Sequence, residues 1–147
     1  FVQFEDLEFH IPNLLSLLSK ETIEKGEFNV SFTGSHSYEV EKKQLKFILK
    51  VSYEDIKTNQ VLMVYSSLST FLIQNFEEVI KPDESNQDTY HISIDFLSLF
   101  VSISISTTRG VLIEKLARTP LARALLPTVD VSELVQALYP QDSPQGL

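Results

Sequence analysis

Leu97-Ser98-Leu99-Phe100-Val101-Ser102-Ile103-Ser104-Ile105-Ser106 is the stretch on which the fold turns. Taken alone, Leu97, Leu99, Val101, Ile103 and Ile105 alternate with Ser98, Ser102, Ser104 and Ser106 in the two-residue period of a strand. Widened to Ile92 through Leu116, the segment fits a different template. Ile94, Leu97, Val101, Ile105, Leu112 and Leu116 form an i, i+3, i+4 stripe about twice as long as a typical strand, and length decides for a helix. On that helix Ser98, Ser102 and Ser106 recur every fourth residue. They put small side chains on one face, where a second helix can approach closely, and so mark an oligomer face.

Working back from this helix, the chain reads as strands. Val2, Phe4, Leu7, Phe9 and Ile11 alternate with a slip of phase at Glu5-Asp6 that a β-bulge would produce, and Pro12 ends the strand. Asn13 to Gly26 has helical spacing and closes on glycine, which predicts a short helix or turn. Phe28, Val30 and Phe32 alternate with Asn29, Ser31 and Thr33 ahead of Gly34, a half-buried strand with a polar outer face. A longer run from Tyr38 to Tyr53 carries Val40, Leu45, Phe47, Leu49, Val51 and Tyr53 on one face. Ile48 breaks the polarity of the other. The run pairs as a hairpin with Val61-Leu62-Met63-Val64-Tyr65, which is rich in β-branched and aromatic residues. The chain then continues through Ser66 to Phe76 as a bent strand or two pieces. Lys81 to Asp88 reads as a loop. Beyond the long helix, Asp130 with Glu133 three residues on predicts an N-cap and capping-box partner for a helix over Val131 to Leu138, stopped by Pro140. The expected organisation is α+β, one domain over 1–140 and a loose tail over 141–147.

A chain of 147 residues is long enough for a single core without staples. With 43% hydrophobic residues, ten Phe and 22% charged residues it has the composition of an ordered protein. The net charge of −8 opposes nucleic-acid binding, which relies on clustered Lys and Arg. The absence of cysteine excludes disulfides, thiolate metal sites and cysteine nucleophiles, and fits a reducing cytoplasmic setting. The longest apolar run, Phe96 to Ile105, is about half the roughly 20 residues of a membrane helix, so no span is expected. Phe1 in the place of a methionine leaves an upstream signal segment open.

Motifs for chemistry are sparse. His91 and Asp95 lie four apart, but His10 and His36 sit on other elements without ligand-spaced neighbours, so no metal site is expected. The serines lie in no Gly-x-Ser-x-Gly elbow. The four glycines, Gly26, Gly34, Gly110 and Gly146, build no phosphate-cradling loop. An enzyme and a nucleotide or other cofactor are therefore not expected. What remains is apolar surface: aromatic and aliphatic residues on both faces of the strands, Phe47 with Ile48, and Met63 with Leu62 and Val64, imply a second covering beyond one helix.

Two stretches carry a resemblance. Asp6-Leu7-Glu8-Phe9-His10-Ile11-Pro12-Asn13 looks like the Asp-x-x-Phe-x-x-Pro-Asn first strand of the SecB family of export chaperones. Thr107-Thr108-Arg109-Gly110, Ala117-Arg118-Thr119-Pro120 and Leu125-Leu126-Pro127-Thr128-Val129-Asp130-Val131-Ser132-Glu133-Leu134-Val135 follow that family's order of long helix, proline stop, Leu-Pro turn and short capped helix. The resemblance implies a four-stranded antiparallel sheet, a long helix packed on it and on its counterpart in another subunit, and a dimer of dimers. It implies an ATP-independent holdase that keeps unfolded or preprotein chains in hydrophobic grooves for export or handover. Phe28, Phe32, Leu62, Phe71 and Leu72 are the candidate groove residues, and Asp6 is the candidate contact to the SecA motor. His10 stands where the family's first strand has Glu, Val64 near another acidic position, and the family's acidic tail is missing. Two alternatives stand beside this reading: a dedicated chaperone of one partner, of the antitoxin type, and a small apolar-ligand carrier with a closed aromatic cavity.

Overall fold

A computed structural model describes residues 3–12, 27–86 and 89–139. The expected helix or turn over Asn13 to Gly26 and the tail over 141–147 lie outside the described residues. The protein is α+β. A four-stranded antiparallel sheet in the order β1-β4-β3-β2 is built from β1 Gln3–His10, β2 Phe28–Glu39, β3 Gln44–Asp55 and β4 Val61–Leu72. A short helix α1, Phe76–Val79, leads into a two-stranded arm of β5 Ile80–Pro82 and β6 Tyr90–Ile92. The long helix α2, Ile94–Leu116, and the short helix α3, Val131–Leu138, complete the chain. This is the sheet with a long and a short C-terminal helix that the sequence predicts.

β3 shows why the sheet forms. Leu45, Phe47, Leu49, Val51 and Tyr53 are all 0% exposed, every second residue of a central strand, and the intervening side chains point to the opposite face. β2 repeats the period at half depth: Phe28, Val30 and Phe32 are half-buried, while Asn29, Ser31 and Thr33 are exposed. It does not stop at Gly34. The strand runs on to Glu39, and the turn comes at Val40–Lys42, where Lys43 takes a left-handed φ of 54°. Tyr38 thus belongs to β2 and not to the next strand. Gly34 serves as clearance within the strand: a Cβ there would meet Phe47 Cζ at 3.0 Å and Leu138 Cδ1 at 3.1 Å.

β4 is one unbroken strand, not two pieces. Its pairing with β3 holds from Gln44↔Leu72 to Tyr53↔Met63, and the strand ends at Leu72, short of Phe76. The irregularity lies at the other end, where Glu54 faces Val61 and Leu62 is the extra residue, so Leu62 and Met63 are both buried although adjacent. On β1 the bulge falls between Asp6 and Glu8, at Leu7, slightly later than the alternation predicts. The Lys81 to Asp88 stretch begins as a strand, since Ile80, Lys81 and Pro82 pair with Ile92, His91 and Tyr90.

Ser93 caps α2, its hydroxyl accepting the amide of Phe96, and Asp130 caps α3 by accepting the amide of Glu133 at 3.2 Å, as its capping-box spacing predicts. α2 lies over β3 and β4, and α3 over β2. The core between the layers includes Phe71 against Phe100, with ring centroids 4.8 Å apart, and Phe28 against Tyr53 at 5.2 Å.

Candidate functional site

α2 meets the sheet along small polar side chains. Ser67 and Ser69 of β4 and Ser104 and Thr108 of α2 are each 0% exposed. A 3.5 Å contact joins the hydroxyls of Ser67 and Thr108, whereas those of Ser69 and Ser104 have no hydrogen-bond partner. The seam lets the helix axis come close to the sheet at the cost of two unsatisfied buried hydroxyls. Of the serines in the helix, it is Ser104, outside the predicted stripe, that faces the sheet. Ser106 is exposed, and Ser98 and Ser102 are half-buried on the flank.

Both ends of the helix layer are tied down. Near the C-terminus of α2, Lys115 Nζ lies 2.7 Å from Asp6 Oδ2 and 5.3 Å from the centre of the Phe9 ring, and the Tyr65 hydroxyl donates to Asp6 Oδ1 at 2.5 Å. The hydrogen bond from Lys115, and then that from Tyr65, hold the Asp6 carboxyl below its ordinary pKa, while burial, with Asp6 adding to it, pushes the Tyr65 phenol up. Arg109 donates through Nη2 to the carbonyl of Pro127 at 2.9 Å and through Nε to that of Leu126 at 3.3 Å, fastening the segment between the helices onto α2. On the other flank His36 sits between two phenols, Nδ1 at 2.9 Å from the Tyr139 hydroxyl and Nε2 at 2.9 Å from that of Tyr38.

This geometry redistributes the residues expected to act. Asp6 pairs with Ser67 in register and so faces the helix side, where both carboxylate oxygens are engaged; the acids on the outer sheet face of β1 are Glu5 and Glu8. Leu62 and Phe71, each 1% exposed, belong to the core and offer no surface to a client. Phe28 and Phe32 are half-buried on the helix side at one edge, while Leu72, 52% exposed, stands opposite Gln44 at the far end of the other face. The five form no common groove. His91 is 3.3 Å from Asp83 and not with Asp95, and among the described residues no group of three His, Asp or Glu could hold a metal.

The outer face of the sheet is largely polar. Glu8, Ser66, Lys50 and Thr33 form one transverse row across all four strands and, with Ser35 and Ile48, line a shallow trough of about 400 Å³. Of the doubly apolar positions, the bulge at Leu62 accounts for Leu62 beside Met63, while Ile48, 40% exposed, remains uncovered on this face. Further uncovered apolar surface lies on α2. Phe96, Leu99 and Ile113 are 42%, 53% and 52% exposed, and Leu125, which shares a crevice with Ile113, is 58% exposed. Helical spacing puts Leu99, Ser106, Gly110 and Ile113 on one outward strip, with Ile103 half-buried between them against the core. At Gly110 no atom of the described residues lies within 4 Å of where a Cβ would stand, so nothing among them requires the glycine. α2, with 23 residues, is by length and composition alone long and apolar enough to cross a bilayer, as a core helix of this kind also is. Apolarity all round, the property that makes both templates fit the sequence, is what leaves this outward strip bare.

No family model matches the chain, and no characterised protein matches it in sequence.

Proposed function

We propose that the chain is an ATP-independent holdase of the SecB type, keeping unfolded polypeptides soluble along the outward side of α2. The observation that carries this reading is the strip from Phe96 and Leu99 to Ile113 and Leu125, apolar side chains left in solvent between small ones. Such a surface suits sequence-blind binding, because apolar burial at about 25 cal/mol per Å² has no directional requirement. A helix of this length spans about 35 Å, the reach of about ten residues of extended chain. Serine and glycine between the apolar residues form dents into which varied side chains can settle.

The carrier alternative finds less support. The large aromatics that would line a closed cavity, Phe47, Tyr53, Tyr65 and Phe71, are packed at 0% or 1% exposure. Binding to SecA through Asp6 would have to break the contacts with Lys115 and Tyr65 first.

The test is suppression of aggregation of several chemically unfolded proteins at stoichiometric ratio, by the wild-type chain and by a Leu99→Asp, Ile113→Asp double variant. Both positions are half exposed, and an unchanged circular dichroism spectrum checks that the variant keeps the fold. Protection by the wild type and its loss in the variant support the reading. Failure of the wild-type chain removes it, and protection of one partner alone moves it to a dedicated chaperone.

A further inference from the structure

All three arginines of the chain, Arg109, Arg118 and Arg123, fall within fifteen residues at the C-terminal end of α2. Between Arg109 and Val129 there is one acid, Glu114, although the whole chain has a net charge of −8. The segment that follows α2 carries one motif twice, as Leu116-Ala117-Arg118 and Leu121-Ala122-Arg123. In each copy the leucine is buried, at 2% and 0% exposure, and the alanine and arginine are exposed. Thr119 ties the two copies into one turn: its hydroxyl donates to the Leu116 carbonyl at 2.8 Å and accepts the Leu121 amide at 3.1 Å, and its carbonyl accepts the Ala122 amide at 3.1 Å. The cations divide into two pairs. Lys115 is held by Asp6, and Arg109 is spent on the Leu126 and Pro127 carbonyls. The guanidinium groups of Arg118 and Arg123 make no ion pair or hydrogen bond among the described residues. Next to them Ile113, Leu116, Ala122, Ala124 and Leu125 line an apolar crevice, with Ile113 and Leu125 more than half exposed at its mouth.

We infer that this end of the molecule docks an acidic peptide segment that carries an aliphatic side chain, the aliphatic group covering Ile113 and Leu125 and the carboxylates meeting Arg118 and Arg123. A planar guanidinium with its donors unused matches a carboxylate through two parallel N–H···O bonds, and such charge-assisted bonds are about twice as strong as neutral ones. Two unpaired arginines beside an apolar crevice are complementary to that segment and repel a basic one, against the acidity of the chain as a whole. The turn that presents them is fixed by its own hydrogen bonds and buried leucines, so little of it has to be ordered on binding. An anionic membrane fits less well. Surface recruitment of that kind uses clusters of about four to eight Lys and Arg, and here two are free. The inference rests on the holdase reading and deepens it, by naming the kind of unfolded segment seated at this end of the α2 strip. The two fail separately, since suppression of aggregation without a charge preference overturns the inference alone.

Fluorescence anisotropy on the full chain tests this with two labelled peptides that share their leucines, one carrying Asp and Glu around them and the other Lys in the same places. The salt concentration is about 0.15 M, where the distant acids of the chain are screened and close pairs are not. The acidic peptide should bind at least tenfold tighter than the basic one. In an Arg118→Gln, Arg123→Gln double variant, both positions being exposed, its affinity should fall at least tenfold while that of the basic peptide does not fall and the circular dichroism spectrum stays unchanged. Equal binding of the two peptides, binding of neither, or an acidic peptide indifferent to the double variant overturns the inference. So does capture of the chain by vesicles of anionic phospholipid without binding of the acidic peptide, which would make the two arginines a membrane contact.

Discussion

Ser104→Ala should stabilise the protein. The Ser104 side chain is 0% exposed, lies on the side of α2 that meets β4, and its hydroxyl has no hydrogen-bond partner. Leaving such a group unpaired in the interior costs about 1–3 kcal/mol relative to an apolar replacement of similar shape. Alanine adds about 0.5 kcal/mol of helix propensity. Against this, one oxygen's dispersion contacts are lost, each worth about 0.1–0.2 kcal/mol. The net expectation is a gain of about 1–2 kcal/mol, which for a chain of this size is an increase in Tm of about 3–6 °C. Urea unfolding at matched protein concentration is the assay: the midpoint should rise with the slope unchanged. Ser104→Val is the counterpart. It overfills a seam already closed by Ser67, Ser69 and Thr108 and should cost about 1–3 kcal/mol. A Ser104→Ala variant that loses 1 kcal/mol or more would refute the reasoning, since it would mean that the hydroxyl is satisfied and holds the helix in place.

Gly110→Ala fills open space on the outward side of α2 and should raise the stability of the isolated chain by about 0.5–1 kcal/mol, read by thermal unfolding at low concentration. Asp6→Asn should lower stability at neutral pH and flatten its acid dependence. Because the folded-state pKa of Asp6 is depressed, the contribution from Lys115 and Tyr65 is present above the ordinary value of 3.8 and is lost as pH falls through the folded value, so the two proteins should converge in an acid titration followed by tyrosine fluorescence. Arg109→Met removes two charge-assisted bonds to the Leu126 and Pro127 carbonyls, and hydrogen exchange should speed up about tenfold through residues 117–130 while the amides of β3 keep their protection.

The sheet and both C-terminal helices were legible because their signals are long: a two-residue period through β3, a stripe of helical spacing through Leu116, and a capping box at Asp130. What escaped depends on contacts that sequence spacing does not encode. Gly34 reads as a breaker, yet a glycine needed for clearance under Phe47 and Leu138 looks the same in one dimension. Leu62 and Phe71 fit a groove as well as a core until the bulge beside Glu54 fixes which way Leu62 turns. The serine stripe was placed on a real helix, but small residues occur on more than one side of α2, and their spacing alone does not single out Ser104 as the one against the sheet. Asp6 was legible as an acid on the first strand; that Lys115 would come back to meet it was not.

The clasp at Asp6 also fixes an order of assembly. β2, β3 and β4 follow one another as tight hairpins and can form as soon as that part of the chain exists. β1 must instead find β4 across a separation typified by the 59 residues between Asp6 and Tyr65, and Lys115 arrives only after α2 has been made. During synthesis β1 leaves the ribosome before β2, β3 and β4 and is nevertheless locked after them. Until then the edge of β4 stands open, with Tyr65, Ser67 and Ser69 exposed beside it, and the acids of β1 that protect the finished sheet are not yet in position.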